Sequence, residues 1–309
     1  MKNLLDYIGY HKKWHGTVQN WRKPVQFSVN ELLIKYIFDT INIKRGNFVE
    51  FGAWDGIRNA NTRTLFLNGW RGLYIESDET RYKELINNFE KEERIYISNT
   101  FIDDKNQLLD DIIGGTINDR IDFMSIDIDG LDVEIFKSIN KFLPLVVCIE
   151  GGQILEPYHR LVTKEISAKN VQQSLNEMKI IFERKGYTLL CSYQDSFFIK
   201  NKFANQFKIN DDIFNLYIEG LIAFPRIPYI KRLLEDSKLQ NRIIDYIIKD
   251  IDKSEFERLV NNGNATDKSL WVDENYNHIR NKLFELKILR ESYPYDKYNE
   301  ALWKKISIN

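Results

Sequence analysis

Short apolar runs alternate with helix-like segments through the middle of the chain, and this alternation limits the fold more than any other feature. The runs predicted to be strands span 47–52, 72–76, 94–98, 121–127, 144–150, 187–192 and 196–200. Helix-like segments follow the first five runs, at about 58–69, 79–90, 104–113, 130–141 and 170–186. Strands that alternate with helices form a parallel sheet covered by helices on both faces. The sequence therefore predicts an α/β domain over residues 46–200.

The segments at both ends of this domain differ from it and from each other. Only Gln194 and Asp195 separate the apolar runs YTLLCSY and SFFIK, so an antiparallel hairpin is expected to end the sheet. Residues 1–45 are predicted to form a polar, aromatic arm and one helix, which begins with a capping box of Ser28 and Glu31. Residues 201–309 show apolar residues at helical spacing and predict a helical C-terminal extension.

Charge and cysteine content restrict the partners and the compartment. The 309 residues contain 44 Lys and Arg against 45 Asp and Glu, so there is no basic excess for nucleic acid or an anionic membrane. Cys148 and Cys191 lie in apolar runs and are predicted to be buried free thiols, which suits a reducing cytoplasm. No apolar run approaches the roughly 18 residues of a membrane-spanning helix, and no signal segment is visible. We expect a soluble, cytoplasmic protein without a transmembrane segment.

Two glycines and two carboxylates surround the turn after the first predicted strand, in the stretch EFGAWDG. Gly52 permits a sharp turn, and Gly56 is predicted to allow close approach of a ligand. The spacing differs from the dinucleotide fingerprint, and Glu50 and Asp55 would repel a pyrophosphate. They suit a ligand with an ammonium or sulfonium charge and no phosphate, such as S-adenosylmethionine. Glu76 ends the second strand, where an acidic residue accepts hydrogen bonds from a ribose diol.

Four motif blocks resemble those of the FkbM-type S-adenosylmethionine-dependent methyltransferases: Glu-Phe-Gly-Ala-x-Asp-Gly, Asn-Thr, Gly-Trp-x-Gly, and the stretch IDFMSIDIDGLDVEIFKSI. The resemblance covers about residues 46–200 and implies a Rossmann-like seven-stranded class I methyltransferase sheet with a terminal antiparallel hairpin. It also implies S-adenosylmethionine as cofactor and a sugar hydroxyl as methyl acceptor. The residues implied to line the cofactor site are Glu50, Gly52, Ala53, Asp55, Gly56, Asn61, Thr62, Glu76, Ser77, Thr100, Phe101 and Asp127. Trp54 departs from the pattern, because many methyltransferases have a third glycine there.

Acidic residues follow the fourth and fifth predicted strands. Asp127, Asp129 and Asp132 come after the fourth strand, and Glu150 ends the fifth. Because the carboxyl ends of parallel strands meet at one edge, Asp127, Asp129 and Glu150 are candidate ligands of Mg²⁺. Such a metal would orient the acceptor hydroxyl and lower its pKa. In the alternative interpretation, Asp127 caps the next helix or bonds the methionine amine, and Asp132 lies in the first turn of that helix.

Methyl transfer to a weakly nucleophilic hydroxyl needs a base that takes the proton. His159, in the loop after the fifth strand, is the candidate base, and Asp129 is its rival, with Asp127 facing the same site. Tyr158 and Arg160 are candidate acceptor contacts, and Arg160 would pair with the phosphate of a nucleotide sugar. The arm is a candidate lid, or else a packing or oligomer element, through its residues His11, Trp14, His15 and Trp21.

These patterns favour an O-methyltransferase that acts on a sugar of a bacterial-type surface polysaccharide or its nucleotide-linked precursor. One alternative is a methyltransferase for another small molecule or an amine, and another is a non-catalytic binding or scaffold protein with a relict fold. A Rossmann-like sheet that binds NAD would need the phosphate-binding turn that the sequence lacks. Methylation of RNA is disfavoured by the missing basic excess. The helical extension is a candidate surface for a homo-oligomer.

Overall fold

The computed structural model describes Leu4, Ser28, Pro157 and the ranges 30–101, 109–117, 120–128, 130–152 and 173–223. Several sequence predictions lie outside these residues. They concern the site roles predicted for Asp129, Tyr158, His159 and Arg160, and the roles of the aromatic arm and of the extension beyond residue 223.

The described chain alternates strands and helices in the predicted order. The strands are β1 Asn47–Phe51, β2 Arg71–Ile75, β3 Ile95–Ser98, β4 Phe123–Ile126, β5 Val146–Glu150, β6 Tyr187–Ser192 and β7 Asp195–Lys200. The helices are α1 Glu31–Thr40, α2 Arg63–Leu67, α3 Glu79–Phe89, α4 Leu109–Thr116, α5 Asp132–Ser138, α6 Leu175–Arg184, α7 Asn201–Ala204 and α8 Ile213–Ala223.

The strands form one seven-stranded sheet in the order β3-β2-β1-β4-β5-β7-β6. Strands β1 to β5 pair in parallel, and β7 runs antiparallel to both β5 and β6. This arrangement confirms the predicted Rossmann-like class I methyltransferase sheet with its terminal antiparallel hairpin. Strand order reverses between β1 and β4, and ligands of such sheets bind beyond the carboxyl ends of the strands at that point.

Alternation along the strands sends side chains to two apolar layers, one on each face of the sheet. Phe48, Tyr74 and Phe123 face the layer that includes buried residues of α1, α2 and α3. The opposite layer contains buried residues of α4, α5, α6 and α8. There Phe182 stacks between Phe136 and Phe198, with ring centroids 3.7 Å apart in both pairs. The sheet is therefore covered on both faces, as the uninterrupted apolar strands predict.

The predicted capping box at the start of the first helix is wrong. Helix α1 begins at Glu31, after Asn30, and has no side-chain cap. The Ser28 hydroxyl donates to Asn61, and the Glu31 carboxylate accepts from the Thr64 hydroxyl. Both side chains thus make tertiary contacts in place of the local pair that their spacing predicts.

The second predicted helix is shorter than its pattern indicates. Helical periodicity predicts residues 58–69, whereas α2 spans only Arg63–Leu67. The residues before it form an irregular turn in which Asn59 has a φ of 57°. Thr62, the residue before α2, donates its hydroxyl hydrogen bond to Glu50 and gives the helix no side-chain cap.

Two further predictions can be compared with the structure. Cys148 and Cys191 are free and buried, which confirms the prediction made for them. No helix among the described residues is both long enough and apolar enough to cross a bilayer.

Candidate functional site

The turn after β1 lies at the edge of the sheet where strand order reverses. Gly52 has a φ of 70°, and the N–H groups of Gly52 and Ala53 donate to the carbonyl oxygen of Ile75 at 3.0 and 3.2 Å. A Cβ atom at Gly52 would lie 1.9 Å from the carbonyl oxygen of Asp127. The turn therefore needs glycine at this position, both for its conformation and for its contact with the residue after β4.

Gly56 ends the same turn and lies against helix α3. Its φ is 69°, and a Cβ atom there would lie 2.5 Å from the Phe89 ring and 3.0 Å from Leu85. Helix α3 thus packs closely against this glycine. Helix packing by itself explains Gly56, and a ligand contact at this position stays a prediction.

Glu76 follows β2 and brings a buried carboxylate to the turn. The residue is 4% exposed. Its Oε2 accepts the Trp54 N–H at 2.8 Å, and its Oε1 accepts the Asp78 N–H at 2.9 Å. The Asn99 side chain donates to the Glu76 carbonyl oxygen at 2.8 Å. Because a carboxylate has about four acceptor positions, Glu76 is an oriented acceptor with capacity left for a ligand.

Asp55 organises the turn that contains it. Its Oδ1 accepts the N–H groups of Ile57 and Arg58 at 2.9 and 2.7 Å. Its Oδ2 pairs with Arg58 Nε at 2.6 Å, and the same guanidinium reaches Glu84 at 3.1 Å. These contacts keep the buried carboxylate hydrogen-bonded, as burial requires. The predicted contact between Asp55 and a cofactor stays a prediction.

Glu50 lies below the turn and holds the segment that leads into α2. Its carboxylate accepts the Asn61 N–H at 2.8 Å and the Thr62 hydroxyl at 2.5 Å. The Thr62 hydroxyl also lies 3.2 Å from the Tyr74 hydroxyl. Burial raises the pKa of Glu50 to about 7, although these hydrogen bonds lower it. Glu50 and Thr62 therefore stabilise the turn from inside the protein.

Asn61 is the centre of a buried polar network on this face of the sheet. Its Nδ2 donates to Ser125 Oγ at 2.9 Å, and its Oδ1 accepts Asn30 Nδ2 at 2.7 Å and the Ser28 hydroxyl. Asn30 Nδ2 also donates to Asp195 Oδ2 at 2.6 Å. The network joins the turn to β4, β7 and the segment before α1.

The sequence analysis included Asn61 only by resemblance, and it missed Asn30, Ser125 and Asp195 as members of this network. One signal was present, because Ser125 is a polar residue inside the apolar strand FMSI. A buried polar residue requires a hydrogen-bond partner, but the sequence does not say which one.

We expect the stability of the fold to decrease as pH rises because of Glu31 and Glu50. Burial raises the pKa of Glu31 to about 8 and that of Glu50 to about 7, from 4.5. The folded state thus holds protons that the unfolded chain releases above about pH 4.5. This contribution is complete below that pH and is lost as pH rises to about 7 and 8.

Urea unfolding at pH 5, 6, 7 and 8 (chosen to bracket these values) would test this. The free energy of unfolding should fall less steeply with rising pH in Glu31→Gln than in wild type. The two slopes should differ by at most about 1.4 kcal/mol per pH unit, the effect of one proton. Glu79→Gln, on an exposed position of α3, serves as control. Equal slopes in wild type and Glu31→Gln would contradict the prediction.

The acidic residues after β4 and β5 differ in their exposure to solvent. Asp127 is exposed, whereas Asp132 is 1% exposed and lies in the first turn of α5. Asp132 accepts the N–H groups of Ile128 and Gly130 at 2.8 and 2.9 Å. Burial raises its pKa to about 7, and the charge of Glu150 adds to this increase. The alternative interpretation correctly placed Asp132 in the first turn of the helix, and the structure adds that its carboxylate holds the preceding loop.

The candidate Mg²⁺ ligands are only partly within the described residues. Asp127 follows β4 and Glu150 ends β5, on neighbouring strands. Within the ranges that the structure describes, no group of three His, Cys, Asp or Glu side chains is placed to hold a metal ion. The third predicted ligand, Asp129, lies outside these ranges. The predicted ligand set stays a prediction.

The remaining predicted cofactor residues follow β1, β2 and β3. Ala53 is 2% exposed and belongs to the apolar layer, whereas Ser77 is exposed beside Glu76. Thr100 Oγ1 lies 2.8 Å from Ser98 Oγ. Phe101 is 70% exposed, which is unusual for a large apolar side chain in this protein. The structure thus brings Gly52, Glu76, Ser77, Thr100, Phe101 and Asp127 to the same edge of the sheet.

Comparisons with known proteins add only distant structural likenesses. No family model matches the sequence, and no curated protein matches it significantly. A TehB-like methyltransferase from Corynebacterium glutamicum is 12% identical over 53% of this chain and 85% of that chain, with a TM-score of 0.34. M. capricolum TrmK, solved with S-adenosylhomocysteine, is 13% identical over 82% and 98% of the two chains, with a TM-score of 0.37.

A third similar structure is an O-methyltransferase from Bacillus cereus in complex with S-adenosylhomocysteine. It is 17% identical over 50% of this chain and 72% of that chain, with a TM-score of 0.33. Identities and TM-scores this low assign neither a family nor an activity to the chain. The fold is established by the strand order and pairing described above.

Proposed function

We propose that this protein is an S-adenosylmethionine-dependent methyltransferase. One observation carries the proposal: a buried, oriented carboxylate, Glu76, lies at the end of β2 beside the glycine turn of a class I sheet. At this position of a Rossmann-like sheet, an acidic residue accepts hydrogen bonds from a ribose diol. The glycine spacing of the turn also lacks the phosphate-binding fingerprint of a dinucleotide site, which supports this cofactor over NAD.

The residues at the sheet edge divide into ligand contacts and supports. Glu76 would hold the ribose, and the exposed Phe101 ring after β3 would pack against the adenine. Gly52 lets the turn approach the backbone of Asp127, and the Asp127 carboxylate would face the methyl end of the site. Glu50, Asn61 and Thr62 hold the turn from the buried side, and Asp55 and Gly56 hold it against Arg58 and α3. When bound, S-adenosylmethionine supplies a methyl group on a positively charged sulfur.

For the acceptor we propose a sugar hydroxyl of a bacterial-type surface polysaccharide or its nucleotide-linked precursor, modified in the cytoplasm. The resemblance of the motif blocks to FkbM-type enzymes supports this substrate class. The chain would align the hydroxyl oxygen with the methyl group, which is the main requirement of an in-line displacement. The hydroxyl proton would pass to a carboxylate oxygen of Asp127, or to Asp129 or His159. Assistance by Mg²⁺ stays a prediction, since the described residues contain no group of three His, Cys, Asp or Glu side chains placed to hold a metal ion.

The proposal predicts that S-adenosylhomocysteine binds and that Glu76→Gln weakens this binding. The substitution removes a charged acceptor and places an amide N–H₂ against one of the two backbone N–H donors, those of Trp54 and Asp78. Loss of one or two hydrogen bonds to a charged group corresponds to about 10- to 100-fold in Kd. Isothermal titration calorimetry of the whole chain with S-adenosylhomocysteine measures this, with Glu79→Gln as a matched control on the exposed side of α3.

Two results would count against the proposal. If the folded wild type does not bind S-adenosylhomocysteine at millimolar concentration, the methyltransferase function is wrong and a binding or scaffold role takes its place. If Glu76→Gln and Glu79→Gln bind as well as wild type, the cofactor lies elsewhere. Transfer of a labelled methyl group to a panel of sugars, nucleotide sugars and amines, with and without Mg²⁺, then separates the acceptor classes.

A further inference from the structure

Trp54 occupies a conformation that is rare for a residue with a side chain. Its φ is 51°, between Gly52 at 70° and Gly56 at 69°. In the left-handed region glycine is favoured, and a bulky residue there requires contacts that hold it. The sequence analysis noted only that Trp54 stands where many methyltransferases have glycine. The structure shows what holds it and what its backbone does.

Two arginines hold the indole ring of Trp54. The guanidinium carbon of Arg58 lies 5.0 Å from the ring centroid, and that of Arg81 lies 4.9 Å from it. Both distances fall within the range of a cation–π contact. Arg58 is itself fixed, because it pairs with the buried Asp55 and with Glu84. Arg81 comes from the first turn of α3, so the ring joins the turn after β1 to the helix after β2.

The backbone of Trp54 touches the carboxylate of the proposed ribose site. Its N–H donates to Glu76 Oε2 at 2.8 Å, while the Asp78 N–H binds Oε1 at 2.9 Å. These two donors set the rotation of the carboxylate group, and therefore the direction of its remaining lone pairs. The direction of the Trp54 N–H depends on the left-handed φ, which the two arginine contacts hold in place.

We propose that Trp54 is a positioning residue for Glu76. The indole, held by Arg58 and Arg81, fixes the turn so that the Trp54 N–H orients the Glu76 carboxylate toward the ribose. This inference rests on the proposed function, because it concerns the same cofactor. The Trp54 side chain, at a position where many methyltransferases have glycine, would thus orient the Glu76 carboxylate before the cofactor binds. Such preorganisation lowers the free-energy cost of ordering the site on binding.

A double-mutant cycle on S-adenosylhomocysteine affinity tests the proposal. Wild type, Trp54→Gly, Glu76→Gln and the double variant are titrated by calorimetry, after urea unfolding shows that each is folded. Trp54→Gly should weaken binding about tenfold, the effect of losing one oriented hydrogen bond to a charged group. Because Trp54 acts through Glu76, the double variant should bind within about twofold of Glu76→Gln alone.

Further variants separate the ring from the fold as a whole. Trp54→Phe keeps an aromatic ring for the arginines and should restore most of the affinity lost in Trp54→Gly. Arg81→Ala should weaken binding about threefold, since it removes one of two ring contacts. Arg63→Ala is the matched control, because Arg63 also lies over aromatic rings, at 5.6 and 5.9 Å, on α2. Arg63→Ala should bind as wild type does.

The possible failures are distinguishable. If wild type binds and the increases in Kd caused by Trp54→Gly and Glu76→Gln multiply in the double variant, Trp54 does not act through Glu76. The inference is then wrong. If Trp54→Gly binds as wild type does, the inference is also wrong, and the proposed function stands. If the folded wild type does not bind S-adenosylhomocysteine, both fail together.

Discussion

Gly52→Ala is expected to lower the free energy of unfolding by about 3 kcal/mol and to weaken S-adenosylhomocysteine binding by more than about tenfold. Two separate costs contribute. The φ of 70° costs an L-residue roughly 1–2 kcal/mol, and the new Cβ would lie 1.9 Å from the carbonyl oxygen of Asp127. The overlap is with backbone, so β1 and the residue after β4 must move apart. That movement opens the edge of the sheet at which the cofactor is proposed to bind.

Gly186→Ala is the matched control for this substitution. Gly186 has a φ of 80°, but a Cβ atom there would meet nothing within 4 Å. Its substitution should therefore cost only the conformational part, roughly 1–2 kcal/mol, and leave ligand binding unchanged. Urea unfolding and calorimetric titration of both variants measure the two effects. Equal losses of stability in Gly52→Ala and Gly186→Ala would show that the close approach to Asp127 does not matter.

Asn61→Ala is expected to destabilise the fold by about 3 kcal/mol. Its side chain is 7% exposed and hydrogen-bonds to Ser125 Oγ, Asn30 Nδ2 and Ser28. Removal leaves these buried polar groups without the partner they have now, and a buried unsatisfied group costs about 1–3 kcal/mol. The pairing of Asn30 with Asp195, at 2.6 Å, should also loosen, because Asn61 helps to hold the Asn30 amide.

Asn68→Ala provides the comparison, since Asn68 is exposed and its side chain donates one hydrogen bond, to the Thr64 carbonyl oxygen at 2.8 Å. Its loss should cost no more than about 1 kcal/mol. Chemical denaturation of both variants gives the difference in the free energy of unfolding.

Titration of folded Asn61→Ala with S-adenosylhomocysteine then separates two roles for Asn61. A support below the turn changes mainly stability, whereas a direct cofactor contact changes mainly affinity. A loss of stability as small as that of Asn68→Ala would refute the network argument.

Much of the fold could be predicted because it depends on local patterns. Each strand of the sheet is an apolar run of four to six residues, and the order of strands and helices permits few topologies. The short gap at Gln194 and Asp195 indicated the hairpin. The role of Gly52 could also be predicted, since a sharp turn after a strand often needs a backbone conformation that glycine adopts most readily.

The errors fall where a side chain contacts a residue distant in sequence. Ser28 and Glu31 have the spacing of a capping box, but their partners are Asn61 and Thr64, 33 residues further along the chain in each case. The spacing rule holds for many helices, but here the packing of distant elements gives each of these side chains another partner.

The alternation of strands and helices, the glycine turn and the carboxylate after β2 can be predicted from the order of the amino acids. These features depend on neighbours within one turn or one strand, where spacing and side-chain chemistry suffice. By contrast, the contacts of Asn61 with Ser28, Asn30 and Ser125 arise only in the folded chain. The same is true of the position of Trp54 between Glu76 and two arginines. Buried polar groups must find partners, but which partners they meet is set by the packing of whole elements.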